Sequence, residues 1–437
     1  MKTLALKCDI AAGSTGSYAW GFDDNSGADD RSTATGLTSG QTAAVTENDS
    51  MGQLMTLTAG GSLTVSLDPS SPSYIAAAAG QSVTVGSLKF RATNEAIDLT
   101  KIALQLTNTS SSSASDVTRV TVWDGTTQVG EVVFAGSSTH ATSTLTAPVR
   151  VNKDADKILT LKAELAAIGT SQPGTSGHLI AVDYDGTDPT GTQGVGVASG
   201  TTINHSSTSD TASSGVRVFK SVPTVAKIAV PTNTLSNGEQ SLLRFRVTAD
   251  AVGDVGIYKF TLRIATTTAS VTGVNVYAYT DSAFSTPVSG LSSQGQMLAT
   301  DLLASGNTTW VSASTDLNVT AQTSAAADTV VQVPAGQSRY FEVRGTVAGA
   351  TTGASVSTQL QGDSAYASTT SSGLCLADST KCFMESATEI DADTSNDDFI
   401  WSPNSTTSVT AAAKDFANGY GVPGLPTTNL TAEVLSR

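Results

Sequence analysis

The chain has 437 residues, of which 39% are hydrophobic and only 14% charged, with a formal net charge of −15 and an isoelectric point near 4.5. This length suits about three domains. The acidic balance argues against nucleic acid or an anionic membrane as partner, because phosphate binding needs clustered Lys and Arg. No run of about eighteen apolar residues occurs, so no membrane-spanning helix is predicted.

Residues 1–60 are rich in Gly, Ser, Asp and Thr and predict a loose N-terminal region, ordered in part by packing on the adjacent domain or on a neighbouring molecule. The stretch Met1–Cys8 is too short for a secretory signal, so we expect either a start further upstream or export by a route without a visible signal. Cys8 is predicted to be unpaired, as a buried or incidental thiol or as an intermolecular bridge.

Residues 61–220 predict the first β-domain. Short segments alternate apolar with polar residues, as in Ser62–Leu67, Ile102–Leu106 and Leu159–Ala163. Such alternation is typical of sheets with one buried face. About seven of these strands separated by turns predict an all-β, Ig-like sandwich.

Residues 221–368 predict a second copy of the same domain. Lys89–Thr93 reads Lys-Phe-Arg-Ala-Thr and Arg244–Thr248 reads Arg-Phe-Arg-Val-Thr, and each copy leads into further alternating strands. The offset from Lys89 to Arg244, 155 residues, stays nearly constant over this stretch. A duplicated β-domain without a catalytic signature indicates a building block rather than an enzyme.

Residues 369–437 predict a C-terminal extension with a cysteine loop and a docking arm. Cys375 and Cys382 bracket a polar loop short enough for the two thiols to meet, which predicts a disulfide in an exported protein. Zinc is the alternative, but it needs two more Cys or His ligands and no His lies nearby. Alternating Gly and Pro in 419–426 exclude regular structure, so the tail is either disordered alone or an arm that docks.

A candidate calcium loop places oxygen side chains at alternate positions, at Asp391, Asp393, Ser395 and Asp397. Its sixth position is Asn396 instead of Gly, and its twelfth is Ser402, which lacks the bidentate carboxylate of an EF-hand loop. A solvated acidic loop therefore stays open as the alternative to Ca²⁺. Asp183–Asp188 and Asp23–Asp30 are weaker versions, for which an ordinary turn is the preferred interpretation.

Aromatic residues are the candidate interface anchors. Phe399 and Trp401 lie in an otherwise polar tail, and aromatic residues in polar arms commonly carry binding energy. For the other tryptophans, packing is preferred over a carbohydrate platform. The three histidines have no metal-ligand spacing, and no nucleophile elbow, His-Glu-x-x-His motif or Walker loop is present.

The repeated strand modules, the Ser/Thr-rich composition and two C-terminal motifs together resemble the large S-layer-like secreted surface proteins of candidate-phyla bacteria. The motifs are Asp-Asp-Phe-Ile-Trp-Ser-Pro-Asn at Asp397–Asn404 and Gly-Tyr-Gly-Val-Pro-Gly-Leu-Pro at Gly419–Pro426. The resemblance implies a secreted β-sandwich protein that coats the cell by self-association, and it implies no catalytic residue. Such proteins begin with an export signal, which is not visible here.

The sequence thus predicts an extracellular, non-enzymatic structural protein that assembles with copies of itself into a lattice or filament at the cell surface. A cell-envelope glycan is a second expected partner. The alternatives are a monomeric adhesin or glycan-binding module on the same fold, and a cell-wall hydrolase that uses acid pairs the sequence cannot locate.

Overall fold

A computed structural model describes residues 7–10, 14, 16–22, 33–45, 50–57, 60–106, 113–135, 138–298, 314–324, 327–364, 398–405, 415–425 and 429–437. These residues form strands and turns, with two short 3-10 helices at Ala114–Asp116 and Ser293–Gly295. The described part of the chain contains no helix with the length and apolar character that crossing a membrane requires. The all-β prediction is confirmed.

The N-terminal region forms nested antiparallel strand pairs, which we call the N-terminal ribbon. Strand β1 pairs with β6, β2 with β5, and β3 with β4. The bounds are β1 Gly16–Tyr18, β2 Gly21–Phe22, β3 Ala34–Thr35, β4 Thr42–Ala43, β5 Ser50–Met51 and β6 Met55–Leu57. The ribbon does not pack into the first sandwich: every side chain in it with a described exposure is exposed or half-buried.

The first sandwich is built from strands β7 to β19. One sheet has the order β12-β11-β14-β9-β7, and the facing sheet has the order β13-β10-β17-β18, with β16 also paired to β10. A third, small sheet joins β15, β19 and β8, the last two in parallel. The bounds are β7 Ser62–Leu67, β8 Ser73–Ala78, β9 Ser82–Thr93, β10 Ile97–Leu106, β11 Val117–Asp124, β12 Thr127–Val132, β13 His140–Val151, β14 Asp156–Leu165, β15 Leu179–Ile180, β16 Val182–Tyr184, β17 Thr192–Gly196, β18 Thr202–His205 and β19 Gly215–Phe219.

The second sandwich is built from strands β20 to β31. Its first sheet has the order β20-β21-β28-β23, and its second the order β24-β22-β29-β31, with β27 and β30 also paired to β22. The bounds are β20 Pro223–Ile228, β21 Gly238–Ala249, β22 Val255–Thr267, β23 Ser270–Tyr279, β24 Ser314–Thr320, β25 Gln322–Ser324, β26 Ala327–Asp328, β27 Val331–Val333, β28 Ser338–Ala348, β29 Ser355–Leu360, β30 Phe399–Ser402 and β31 Glu433–Ser436.

Hydrophobic alternation places each core between its two sheets. In β14, Leu159, Leu161 and Ala163 are fully buried while the residues between them are partly exposed. In the second sandwich Phe245, Phe260 and Phe341 are fully buried, and their ring centroids lie 5.0 to 5.1 Å apart. Ring contacts of this kind add to the free energy gained by burying apolar surface.

The two sandwiches share strand order as well as sequence. The Lys89–Thr93 segment lies in β9 and its copy Arg244–Thr248 lies in β21. The order β11-β14-β9-β7 in the first sandwich corresponds to β23-β28-β21-β20 in the second. In the facing sheets, β10 and β22 are the corresponding central strands, paired on one side by β13 and by β24 with β27 respectively.

The C-terminal residues complete this second sandwich, which differs from the separate extension expected from the sequence. Strand β30 pairs with the first half of β22 and β29 with its second half, just as β17 and β16 share β10. Strand β31 pairs antiparallel with β29 and meets Thr234 in parallel, just as β19 pairs with β15 and β8. The strands that close the second copy therefore come after residues 365–397, which are not described.

Phe399 and Trp401 are not anchors for another molecule, and that prediction is wrong. Both side chains are 0% exposed and lie in the core of the second sandwich. The Phe399 ring lies 5.5 Å from that of Phe260, and the Trp401 ring packs edge-on against Phe219 at 5.0 Å. A short aromatic segment between polar residues is typical of a buried core strand as well as of an interface, so the sequence does not distinguish the two.

The Gly-rich tail docks on its own chain at the junction between the sandwiches. Ala76 in β8 donates its N–H to the carbonyl of Gly421 at 3.1 Å, and Val225 in β20 donates to Pro423 at 2.9 Å. Gly421 has a φ of +73°, and a Cβ there would lie 2.7 Å from a backbone oxygen of Tyr74. Glycine is needed at this position because both its φ and its close approach exclude a side chain.

Other contacts bridge the same junction. Gln81 Nε2 donates to Asp250 Oδ1 at 2.9 Å, and Lys220 Nζ donates to the carbonyl of Asn404 at 2.8 Å. Ala76, Ala78 and Phe219 of the first sandwich also belong to the core of the second. The two sandwiches are therefore joined by shared core and by hydrogen bonds, not only by the covalent linker.

Trp401→Ala is expected to lower the free energy of unfolding of the second sandwich by about 3–5 kcal/mol, because it empties a fully buried indole site. Trp20→Ala, which truncates an indole that is 37% exposed, is the matched control and is expected to change stability by less than about 0.5 kcal/mol. Denaturant unfolding measures both. Equal stabilities of the two variants would contradict the placement of β30 in the core.

Candidate interaction surfaces

The predicted calcium loop and disulfide lie outside the described residues. These are Asp391, Asp393, Ser395 and Asp397 for the metal, and Cys375 and Cys382 for the disulfide, and both stay predictions. Cys8 is described, and its thiol is free and exposed. Within the residues that the structure describes, no group of three or more His, Cys, Asp or Glu side chains is placed to hold a metal ion.

The acidic stretch at Asp183–Asp188 has the geometry of a turn. Asp185 Oδ1 accepts hydrogen bonds from the Asp188 N–H and the Thr187 hydroxyl, both at 3.1 Å. Asp183 Oδ1 accepts the N–H of Ser213 at 2.7 Å. The carboxylates therefore satisfy nearby backbone groups, as Asp commonly does in turns.

The three histidines lie in three separate hydrogen-bonded pairs. His140 Nδ1 lies 2.9 Å from Asp185 Oδ2, and His178 Nδ1 lies 2.6 Å from Asp116 Oδ2. His205 Nδ1 lies 2.5 Å from the hydroxyl of Tyr184. Burial lowers the pKa of His205 and raises the pKa of Tyr184 to about 12, so both groups are held neutral near pH 7.

Glu95 fastens the point where the ribbon leaves the first sandwich, a role that the sequence did not reveal. Its carboxylate accepts the N–H of Gly61 at 2.8 Å and the N–H groups of Ala198 and Ser199 at 2.8 and 2.9 Å. Burial alone would raise the pKa of this carboxyl, but these hydrogen bonds outweigh it and hold the pKa at about 2.

Asp363 fastens the returning C-terminal strand in the second sandwich. Its carboxylate accepts the N–H groups of Asp398 at 2.8 Å, Phe399 at 3.4 Å and Gly419 at 2.5 Å. Burial raises the pKa of this carboxyl from its ordinary 3.8 to about 7, although the bonds from Asp398 and Gly419 oppose the rise. Asp363 is 0% exposed, which is why desolvation prevails here and not at Glu95.

The outer faces of the two sandwiches repeat one cation–aromatic pair. Lys162 Nζ lies 4.2 Å from the ring centroid of Trp123, and at the corresponding strand positions Arg344 Cζ lies 4.6 Å from that of Tyr277. Arg344 also donates to Glu342, which is 2% exposed and accepts from Arg244 as well. Cation–aromatic pairs are worth about 0.5–1 kcal/mol each at exposed sites.

Among the described residues, six of the fourteen exposed large hydrophobic side chains lie in the N-terminal ribbon. Leu37 is 105% exposed, Leu54 63% and Met55 45%. Tyr18 and Trp20 are 40% and 37% exposed, with their rings stacked at 6.0 Å and 19°. Clustered exposed apolar side chains mark interaction sites more often than singly scattered ones do.

Glu95→Gln is expected to destabilise the protein by about 1–3 kcal/mol at pH 7, because the amide nitrogen cannot accept the backbone N–H groups that one carboxylate oxygen accepts. Because the pKa of Glu95 is lower in the folded state, its ionised carboxylate stabilises the fold at pH values above its ordinary pKa of 4.5. This contribution disappears as the pH falls toward 2. The stability difference from wild type should therefore shrink between pH 4.5 and 2. Glu239→Gln, at a side chain that is 66% exposed, is the matched control and is expected to change stability by less than about 0.5 kcal/mol at pH 7.

Asp363→Asn is expected to change the pH dependence of stability at higher pH than Glu95→Gln does. Because the pKa of Asp363 is higher in the folded state, its protonated carboxyl stabilises the fold fully below pH 3.8, and this contribution is lost as the pH rises through about 7. Wild-type stability should therefore decline relative to the variant between about pH 4 and 7. Urea unfolding across this range, read as the difference between the two proteins, measures the effect, and parallel curves would contradict the burial of an ionisable Asp363.

No family model matches the chain, and no curated protein matches it. Among solved structures, the C-terminal domain of the AgI/II polypeptide BspA of Streptococcus agalactiae aligns over 69% of this chain and 95% of its own, with 12% identity and a TM-score of 0.18. The serine-rich repeat protein Srr2 of the same species aligns over 69% and 88%, with 10% identity and a TM-score of 0.17. The collagen adhesin of S. aureus aligns over 68% and 85%, with 11% identity and a TM-score of 0.14. Overlaps this weak establish neither a common fold nor a common function, so the β-sandwich assignment rests on the strands and sheets of this chain.

Proposed function

We propose that this protein is a non-enzymatic, secreted structural protein of a cell surface that assembles with copies of itself into an S-layer-like lattice or filament. The observation that carries the proposal is the duplication: one sandwich topology is built twice and fixed in tandem. A rigid repeated unit suits a protein whose task is to span distance and present surfaces.

The junction supports this role because it restricts bending. Trp401 packs on Phe219, and the tail at Gly421 and Pro423 bonds to strands of both sandwiches. Bending would have to expose this shared apolar surface and break these bonds. Interdomain interfaces that lack such a core are expected to move.

The charge of the chain sets a condition on assembly. Copies with a net charge of −15 repel one another, and the repulsion weakens with salt or with a bound cation. Calcium therefore belongs to the proposal as a bridge or screen between acidic surfaces, with the loop at 391–397 as its candidate site.

A monomeric adhesin or glycan-binding module is the second candidate. The stacked Tyr18 and Trp20 rings favour it, because exposed aromatic faces also bind sugars. Binding to a glycan array by protein that stays monomeric at high concentration would select this candidate over the assembling one.

Negative-stain microscopy of the purified protein, with calcium and with a chelator, tests the assembly proposal. Ordered arrays or filaments are expected with calcium, and fewer or smaller ones with chelator, because the charge repulsion then returns. Sodium chloride at matched ionic strength is the control that separates screening from specific calcium binding. Monodisperse single molecules at high concentration in every condition would contradict self-assembly.

A further inference from the structure

Two Asn-Gly dipeptides occur in the chain, and the structure describes both. They are Asn237-Gly238 and Asn418-Gly419. In such a dipeptide the glycine nitrogen can attack the side-chain amide carbon of the asparagine and close a cyclic imide, because glycine has no Cβ to hinder the ring. A base that takes the glycine proton and a donor to the amide oxygen both favour the attack. Both groups are present beside Asn418.

The carboxylate of Asp363 is placed to take the proton from Gly419. Its Oδ2 accepts the N–H of Gly419 at 2.5 Å. A Cβ at this glycine would lie 2.8 Å from the same oxygen and 2.6 Å from Leu425, so no other residue fits here. Burial raises the pKa of Asp363 to about 7, and repulsion from Asp398 adds to the rise. A carboxylate with a pKa near neutrality is a stronger general base than an ordinary aspartate.

The side chain of Asn418 is held as the electrophile. Its Oδ1 accepts the N–H of Tyr420 at 3.3 Å, so the negative charge that develops on this oxygen during attack is stabilised. The backbone carbonyl of Asn418 accepts the Nε1–H of the fully buried Trp401 at 2.8 Å. Asn418 itself is 6% exposed. The reacting groups are therefore fixed in place, an advantage that the unfolded chain lacks.

The other dipeptide has the same two residues without this arrangement. Oδ1 of Asn237 accepts the N–H of Ala350 at 2.8 Å, and Gly238 begins strand β21 opposite Val347. In the described part of the chain, no carboxylate accepts a hydrogen bond from the N–H of Gly238. Asn237 is also exposed, whereas Asn418 is buried. The chain thus contains its own comparison for the effect of Asp363.

We propose that Asn418 is a site of self-catalysed modification, at which Asp363 acts as the base for cyclisation onto the nitrogen of Gly419. The Gly419 nitrogen forms a bond to Cγ of Asn418, and the bond from Cγ to Nδ2 breaks. The proton that Asp363 takes from Gly419 passes to the leaving nitrogen, which departs as ammonia. One water then opens the imide and leaves aspartate or isoaspartate at position 418. No oxidant, reductant or cofactor is consumed.

The modification would weaken the docking of the C-terminal tail. The imide nitrogen carries no hydrogen, so Gly419 can no longer donate to Asp363. Hydrolysis then adds a negative charge close to that carboxylate. The same tail bonds to both sandwiches through Gly421 and Pro423. Reaction at Asn418 therefore acts on the junction between the sandwiches.

Peptide mass spectrometry of the full-length wild-type protein measures conversion at both dipeptides. The protein is incubated at pH 7 either folded or unfolded in guanidinium chloride, in heavy-oxygen water that labels the chains hydrolysed during the incubation. Asn418 is expected to react at least about tenfold faster in the folded protein than in the unfolded one, because general-base assistance is worth at least this much. Asn237 is the internal control and is expected to react no faster when folded.

Two full-length variants test the role of each group. Asp363→Asn removes the base and is expected to lower the folded-state rate at Asn418 at least about tenfold, with the rate at Asn237 unchanged. Asn418→Gln lengthens the side chain and is expected to abolish conversion at this position. Thermal unfolding shows whether each variant is folded, and the comparison of folded with unfolded wild type needs neither variant.

A rate at Asn418 that is no higher in the folded protein than in the unfolded one would overturn the proposal, since the fold would then protect this asparagine. A rate that a folded Asp363→Asn variant leaves unchanged would also overturn it, because the carboxylate would not be the base. The proposal does not depend on self-assembly, so neither result bears on the proposed function.

Discussion

The pairing of β30 with β22 is the constraint on which the second sandwich and its junction depend. β22 is a central strand, and without β30 the first half of its ladder and the Phe260 ring would lose their cover on that side. The same strand brings Trp401 against Phe219, so closing the sandwich also fixes its position relative to the first one. Asp363 ties this strand to the tail by accepting backbone N–H groups from both. The returning strand β30 therefore completes the core of the second sandwich and fixes its orientation to the first. Loss of β30 would affect both.

The two buried carboxylates place opposite pH limits on the fold. Glu95 is stabilised by its donors as an anion, and its contribution fails in acid. Asp363 is penalised as an anion by complete burial, and its contribution fails as the pH rises toward neutrality. The difference arises from desolvation, because both groups accept backbone N–H bonds. The first sandwich with the base of the ribbon and the second sandwich with its closing strand are thus expected to weaken at different ends of the pH range.

Much of the fold can be predicted from the sequence, but the strands that complete the second sandwich cannot. Alternation locates β7, β10 and β14, and the Lys-Phe-Arg and Arg-Phe-Arg segments at Lys89 and Arg244 indicate a duplication that the two strand orders match. It did not place β30 and β31, because pairing partners far apart in the chain leave no local signal and residues 365–397 interrupt the pattern. For the same reason Phe399 and Trp401 were misassigned to an interface. Glu95 and Asp363 could not be found either, because their partners are backbone N–H groups, which every residue except proline carries.

Under the proposed self-assembly, contacts between backbone groups would let so acidic a chain associate with copies of itself. Each copy carries a net charge of −15, so side-chain contacts between copies bring like charges near one another, and their strength depends on salt. Main-chain hydrogen bonds along an uncharged edge avoid this cost, since N–H and C=O groups are the same in every copy. Under the proposed self-assembly, contacts of this kind would favour growth through a defined pairing over nonspecific aggregation.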